Sequence, residues 1–144
     1  MSMYKFLQYH VGEFMTGNPV SVGRDLTLKE VEDLLHGHDF NALPVTENGK
    51  LVGIATKFDF LKAFAFSTRQ LVPHYDELMS RKVGDVMTVN VVTVEPTSPL
   101  TRALQLMVDL KARSLPVVED DKLVGMISRT DLMKALKQSV EASE

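Results

Sequence analysis

Hydrophobic and polar residues along this chain follow two alternating periods, and the same order of periods occurs twice. Val20-Ser21-Val22 and Val91-Val92-Thr93-Val94 are short β-branched runs, which predict strands. Apolar residues then switch to helical spacing, at Leu28, Val31, Leu34 and Leu35 and again at Leu100, Ala103, Leu104 and Met107. Each helix has a start signal. Thr27 stands three residues before Glu30, the spacing of a capping box. Ser98 precedes Pro99, which predicts a capping serine followed by proline at the first helical position. A strand follows at Leu43-Pro44-Val45-Thr46, then Asn48-Gly49 as the centre of a tight hairpin, then a returning strand over Leu51–Ala55. The matching turn, Glu119-Asp120-Asp121-Lys122, is a weaker signal ahead of its returning strand Leu123–Ile127. A last helix carries Phe60, Leu61 and Phe64, or Leu132, Met133 and Leu136.

The recurrence is an internal duplication. Residues 11–64 align without a gap on 83–136, with 20 identities in 54 positions. Val11-Gly12-Glu13-Phe14-Met15-Thr16 matches Val83-Gly84-Asp85-Val86-Met87-Thr88, Leu43-Pro44-Val45 matches Leu115-Pro116-Val117, and Lys50-Leu51-Val52-Gly53 matches Lys122-Leu123-Val124-Gly125. Such short units are too small to bury a core alone, so the pattern predicts two units packed by a pseudo-twofold around one shared core. Residues 65–82, with Pro73 and an amphipathic piece from Tyr75 to Met79, read as a linker. Residues 1–10 carry Tyr4, Phe6, Leu7 and Tyr9, too apolar for a free tail, and are expected to pack on the module. Residues 137–144 read as a C-terminal tail, frayed from Gln138.

Composition narrows the function classes. The 144 residues carry 16 basic and 19 acidic side chains, a net charge of −3. With a pI near 5.8, this gives little support to nucleic-acid binding. Cysteine is absent, which removes disulfides, thiolate metal sites and cysteine nucleophiles. Apolar runs are only a few residues long, and the start shows no leader pattern, so a cytoplasmic protein without a membrane span is expected. The histidines have no metal-ligand spacing; His36 and His38 point to different helix faces, and His10 and His74 lie in the terminal segment and linker. Met107, Met126 and Met133 fall at core phases, and Met15 and Met87 open the repeats. No dinucleotide fingerprint, P-loop, Gly-x-Ser-x-Gly or His-Glu-x-x-His occurs, and no nucleophile–base pair is visible, so an enzyme is not expected.

The repeated Val-Gly-x-x-Met-Thr, Leu-Pro-Val and Gly53-Ile54-Ala55-Thr56-Lys57-Phe58-Asp59, the last returning as Gly125-Met126-Ile127-Ser128-Arg129-Thr130-Asp131, resemble the cystathionine-β-synthase (CBS) domain. The pair resembles a Bateman module. The resemblance implies an α/β fold with a β-α-β-β-α order per unit, filling the chain as a stand-alone module. It also implies clefts that bind adenosine compounds (AMP, ADP, ATP, S-adenosylmethionine or a dinucleotide) as regulatory ligands. Commonly two such modules form a homodimer. On this reading, binding signals by conformational change to a protein target whose identity is open. The alternative is a dimeric adaptor with degenerate clefts and no small-molecule ligand.

A nucleotide site needs a carboxylate for the ribose hydroxyls, cations and N–H donors for phosphate, and an apolar slot for the base. Asp59 and Asp131 suit the first role, beside the hydroxyls of Thr56 and Ser128 at helix starts, where free N–H groups favour phosphate. Lys57 and Arg129 add charge. Ala42, Pro44, Ser114 and Pro116, with Val20 and Val92, are candidates for the base slot. By itself the Thr/Ser-x-x-Asp spacing is equally a helix cap, in which hydroxyl and carboxylate satisfy backbone N–H groups. The resemblance further implies composite clefts. Thr56, Lys57 and Asp59 would be completed by Asn90–Val94 and Arg113–Val117; Ser128, Arg129 and Asp131 would be completed by Asn18–Val22 and Asn41–Val45. Arg113 and Asn41 occupy matching positions, so the first cleft would hold two cations and bind more tightly; the alternative is that Arg113 faces solvent.

Overall fold

The structure, a computed structural model, describes residues 4–38, 42–65 and 75–142. A 3-10 turn over Tyr4–Gln8 leads into α1 (Val11–Phe14), β1 (Thr16–Gly17), α2 (Leu28–His38), β2 (Ala42–Glu47), β3 (Lys50–Thr56), α3 (Lys57–Ala65), α4 (Tyr75–Met79), α5 (Leu100–Leu110), β4 (Ser114–Glu119), β5 (Lys122–Ser128) and α6 (Arg129–Ala142). The fold is mixed α/β with antiparallel strand pairing.

Two compact units form, and their borders cut across the repeats. One is Val20–Val91; the other joins Met1–Pro19 to Val92–Glu144. Each repeat's opening segment therefore belongs to the unit built on the other repeat's helices and hairpin. In the Val20–Val91 unit, Thr88 exchanges backbone hydrogen bonds with Ile54 on β3, 2.9 Å each way. In the other unit, β1 pairs with β5, Thr16 opposite Met126. Glycine makes this approach possible. A Cβ on Gly53 would lie 2.5 Å from Met87 Sδ and 2.9 Å from the Thr88 carbonyl oxygen; one on Gly125 would lie 2.6 Å from Met15 Sδ.

The single shared core expected from the sequence is replaced by two. Val22, Leu28, Val31, Leu43, Val45, Ala55 and Ala63 pack with Met79, Val83 and Met87 in one unit. Phe6, Val11, Val94, Leu100, Ala103, Leu115, Ile127, Leu132 and Ala135 pack in the other. The reason is the crossing of the opening segments, which delivers Val83 and Met87 to one core and Val11 to the other.

Both hairpins turn alike. Asn48 and Gly49 take φ of 55° and 81°, and Asp120 and Asp121 take 52° and 67°, so the second turn adopts positive φ twice without a glycine. The first strand of each repeat is shorter than its sequence predicts. Val22 and Val94 each make one parallel bridge, to Val45 and Val117. The next rung would require an N–H from Pro44 or Pro116, and proline has none.

The helix ends separate cleanly. Thr27 and Glu30 form the capping box: the Thr27 hydroxyl accepts the Glu30 N–H at 3.3 Å, and Glu30 accepts the Thr27 N–H at 3.2 Å. Ser98 does not cap α5. Its hydroxyl accepts the N–H of Glu95 at 3.0 Å, and extended Pro99 takes the cap position instead. The frayed C-terminal tail is also corrected. α6 continues through Ala142, because Leu132, Ala135 and Ser139 form one buried face, with Ser139 donating to the Leu136 carbonyl at 2.7 Å. Phe6 of the N-terminal segment shares the core with Leu132 and Ala135. The linker supplies α4, with Leu78 and Met79 buried; Phe66, Pro73 and His74 lie outside the described residues.

Candidate functional site

The two Thr/Ser-x-x-Asp elements fall where β3 runs into α3 and β5 into α6. Both are capping boxes. The Asp59 N–H donates to the Thr56 hydroxyl at 3.2 Å, while the N–H and hydroxyl of Thr56 donate to Asp59 Oδ2 at 2.9 and 3.1 Å. In the other unit, the Asp131 N–H donates to the Ser128 hydroxyl at 3.2 Å, and Ser128 returns two bonds to Asp131 Oδ2 at 2.8 and 2.9 Å. The cap reading and the ligand reading are therefore decided by the second oxygen of each carboxylate.

Those second oxygens differ. Asp59 Oδ1 accepts the Thr88 hydroxyl at 3.0 Å and pairs with Lys62 Nζ at 3.0 Å; the residue is only 1% exposed. Asp131 Oδ1 accepts from none of the described residues, and Asp131 is half-buried. Sequence reasoning missed Thr88 and Lys62. The i,i+3 spacing of Lys62 from Asp59 was a usable signal. The approach of Thr88 required the fold.

Hairpin register places the slot residues. Ala42 is opposite Thr56, and Ser114 is opposite Ser128. Pro44 and Pro116 are buried two positions further along their strands, opposite Ile54 and Met126. Val20 and Val92 are exposed, each two residues before its bridged valine. Val92, Arg113, Ser114, Pro116, Ser128, Arg129 and Asp131 thus share one unit; Val20, Ala42, Pro44, Thr56, Lys57 and Asp59 share the other. Arg113–Val117, expected to complete the Thr56 cleft, belongs to the hairpin that leads into Ser128. Asn41 lies outside the described residues.

The cations are placed unequally too. Arg129 donates from Nε to the Ala112 carbonyl at 2.9 Å and from Nη2 to the Lys111 carbonyl at 3.2 Å, and its N–H donates to the Arg113 carbonyl at 3.0 Å. It thereby clamps the chain leaving α5, where Lys111 turns left-handed at φ 55°; three guanidinium N–H groups remain beyond those bonds. Lys57 is exposed and lines a cavity of about 460 Å³ together with Glu32, His36, Phe60, Phe64 and Tyr75. Tyr75 donates to Glu32 at 3.2 Å, and this hydrogen bond raises the phenol above its ordinary value of 10.0. Among the described residues no group of histidines and carboxylates could hold a metal, and no helix is long and apolar enough to cross a membrane.

The CBS domain family model matches twice, over residues 11–66 and 83–138. This chain belongs to the CBS-domain family. It is a tandem CBS pair. Over 137 residues it is 32% identical to a homoserine O-acetyltransferase of Methanocorpusculum labreanum, covering 88% of this chain and 26% of that protein. It is 33% identical to the mitochondrial CBS domain-containing protein CBSX3 of Arabidopsis thaliana, covering 78% of this chain and 53% of the relative. The chain thus spans between about a quarter and half of these relatives. Among solved structures, CBSX2 in complex with AMP is similar at TM-score 0.78 and 29% identity, over 90% of this chain and 97% of that one. The CBS domain pair of MJ0100, in complex with 5′-methylthioadenosine and S-adenosylmethionine, is similar at TM-score 0.74 and 25% identity, over 90% and 97%.

Proposed function

We propose that this CBS pair is a regulatory module that binds an adenosine-containing ligand and passes the bound state to a protein target. The observation that carries the reading is half-buried Asp131: one oxygen is held in the helix cap, and the other has no donor among the described residues. A carboxylate so placed accepts the two hydroxyls of a ribose. Ser114 and Pro116 on the adjoining strand, with Val92, supply a small-walled slot for the base. The start of the 14-residue α6 and the remaining N–H groups of Arg129 are of a kind that suits phosphate. The ligands of CBSX2 and MJ0100 support the adenosine class, with AMP, ADP, ATP and S-adenosylmethionine as the candidates. The ligand-free adaptor reading has one observation in its favour, the fully occupied Asp59 carboxylate.

Thermal melting with AMP, ATP and S-adenosylmethionine tests the proposal. A ligand at a hundred times its Kd adds about 2.7 kcal/mol to stability. Asp131→Asn keeps a capping side chain but loses the charge, and is expected to weaken binding by about 1.5–3 kcal/mol. No melting shift with any of the three supports the adaptor instead. A variant that loses stability but keeps affinity reduces Asp131 to a cap.

A further inference from the structure

The two repeats carry the same carboxylate, the same threonine (Thr16 and Thr88) and the same lysine (Lys62 and Lys134), each at the same offset. Only one set closes. Lys62 Nζ and the Thr88 hydroxyl both reach Asp59 Oδ1, whereas among the described residues neither Thr16 nor Lys134 bonds to Asp131. The local sequence difference that touches the lysine is Phe58, aligned with Thr130. The Lys62 ammonium lies 5.7 Å from the centre of the Phe58 ring, so it rests between a ring face and a carboxylate. The carboxylate of the i,i+3 pair is buried, while the Lys62 side chain is 42% exposed and keeps a path to solvent. A ring on the other side adds cation–π attraction and narrows the positions the ammonium can take. Thr130 offers Lys134 no such face.

Resting on the ribose reading above, we propose that Phe58 turns Lys62 into a plug, so that an adenosine ligand fills the Asp131 site first. It reaches Asp59 only when Lys62 and Thr88 let go. At Asp131 a ribose diol only displaces water from an oxygen that no described residue occupies. At Asp59 the same diol only replaces donors already present and leaves an ammonium to be resolvated. The affinity gap is expected to be about tenfold or more. This order is opposite to the one implied by counting cations, because it follows the occupancy of the carboxylates.

Calorimetry with AMP on the full chain tests it, using Phe58→Thr and Thr130→Phe, which exchange the residue at one exposed position between repeats, and Lys62→Met, which removes the plug directly. The native protein is expected to bind one AMP tightly. Phe58→Thr and Lys62→Met should each bring a second site to within about threefold of the first. Thr130→Phe should weaken the tight site about tenfold. Two equal sites in the native protein, or no gain of a second site in either Phe58→Thr or Lys62→Met, overturns the gate while leaving the ribose reading intact. No heat from AMP in any variant overturns the ribose reading, and the order of filling with it. Melting of the ligand-free proteins adds a separate check: Lys62→Met and Thr88→Val should each lower Tm more than Lys134→Met and Thr16→Val. Equal losses in the two repeats also overturn the plug.

Discussion

At the scale of single residues, glycine and carboxylate positions are defined by what lies against them. Gly53 and Gly125 are strand positions where any side chain would meet a methionine sulfur and a backbone carbonyl. The methionine can shift, but the carbonyl is fixed by its own ladder. Gly53→Ala and Gly125→Ala are each expected to cost about 1–3 kcal/mol, read as a lowered urea midpoint with an unchanged m-value. Tyr75 supplies a pH prediction. Its neutral phenol donates to Glu32, and ionisation would set a phenolate against a carboxylate. The contribution to stability is complete below the ordinary value of 10.0 and is lost as pH rises through the raised value. Ultraviolet titration should show one tyrosine ionising late, and Glu32→Gln should bring it back towards the ordinary range.

At the scale of elements, the same hairpin arises from two turns of unequal strength. Asn48-Gly49 is made for positive φ, whereas Asp120-Asp121 accepts it because the strands on either side hold the register. The link from α5 into β4 depends on α6. Arg129 grips the Lys111 and Ala112 carbonyls just beyond the end of α5, joining two elements that are distant in sequence. Arg129→Ala is expected to lower stability by about 1 kcal/mol, and Lys57→Ala by less, since among the described residues Lys57 makes no such bond. Equal melting temperatures for the two variants would remove the clamp from the account. This element was read from the sequence as a phosphate cation; the carbonyls it binds sit on another element, which no local spacing reveals.

At the scale of the molecule, α3 carries three phenylalanines, Phe58, Phe60 and Phe64. Phe60 and Phe64 spend part of their surface on the Val20–Val91 core, and Ala63 is buried there. Among the described residues of α3 the exposed large apolar side chains are Phe58 and Leu61, both 66% exposed and three residues apart on one face. Such a face is commonly covered by a partner, and a homodimer is the expected partner. Light scattering should give twice 16.1 kDa, and Leu61→Glu should shift it towards the monomer. A native particle of 16.1 kDa at micromolar concentration would exclude the dimer.

The sequence alone determined the duplication, the hairpins, the capping boxes and the carboxylates Asp59 and Asp131. These depend on residues a few positions apart, so spacing and turn chemistry reveal them. The one-core expectation failed because the opening segments cross to the other repeat's hairpin, a contact spanning dozens of residues. The same crossing brings Thr88 to Asp59. Tertiary structure decided the distant half of the difference between the two carboxylates, the Thr88 hydroxyl on Asp59, whereas Lys62 and Phe58 are local to it. Two nearly identical motifs become unequal when one local and one distant donor reach one of them, and the free energy of a carboxylate oxygen depends on the donors around it, not on its place in a motif.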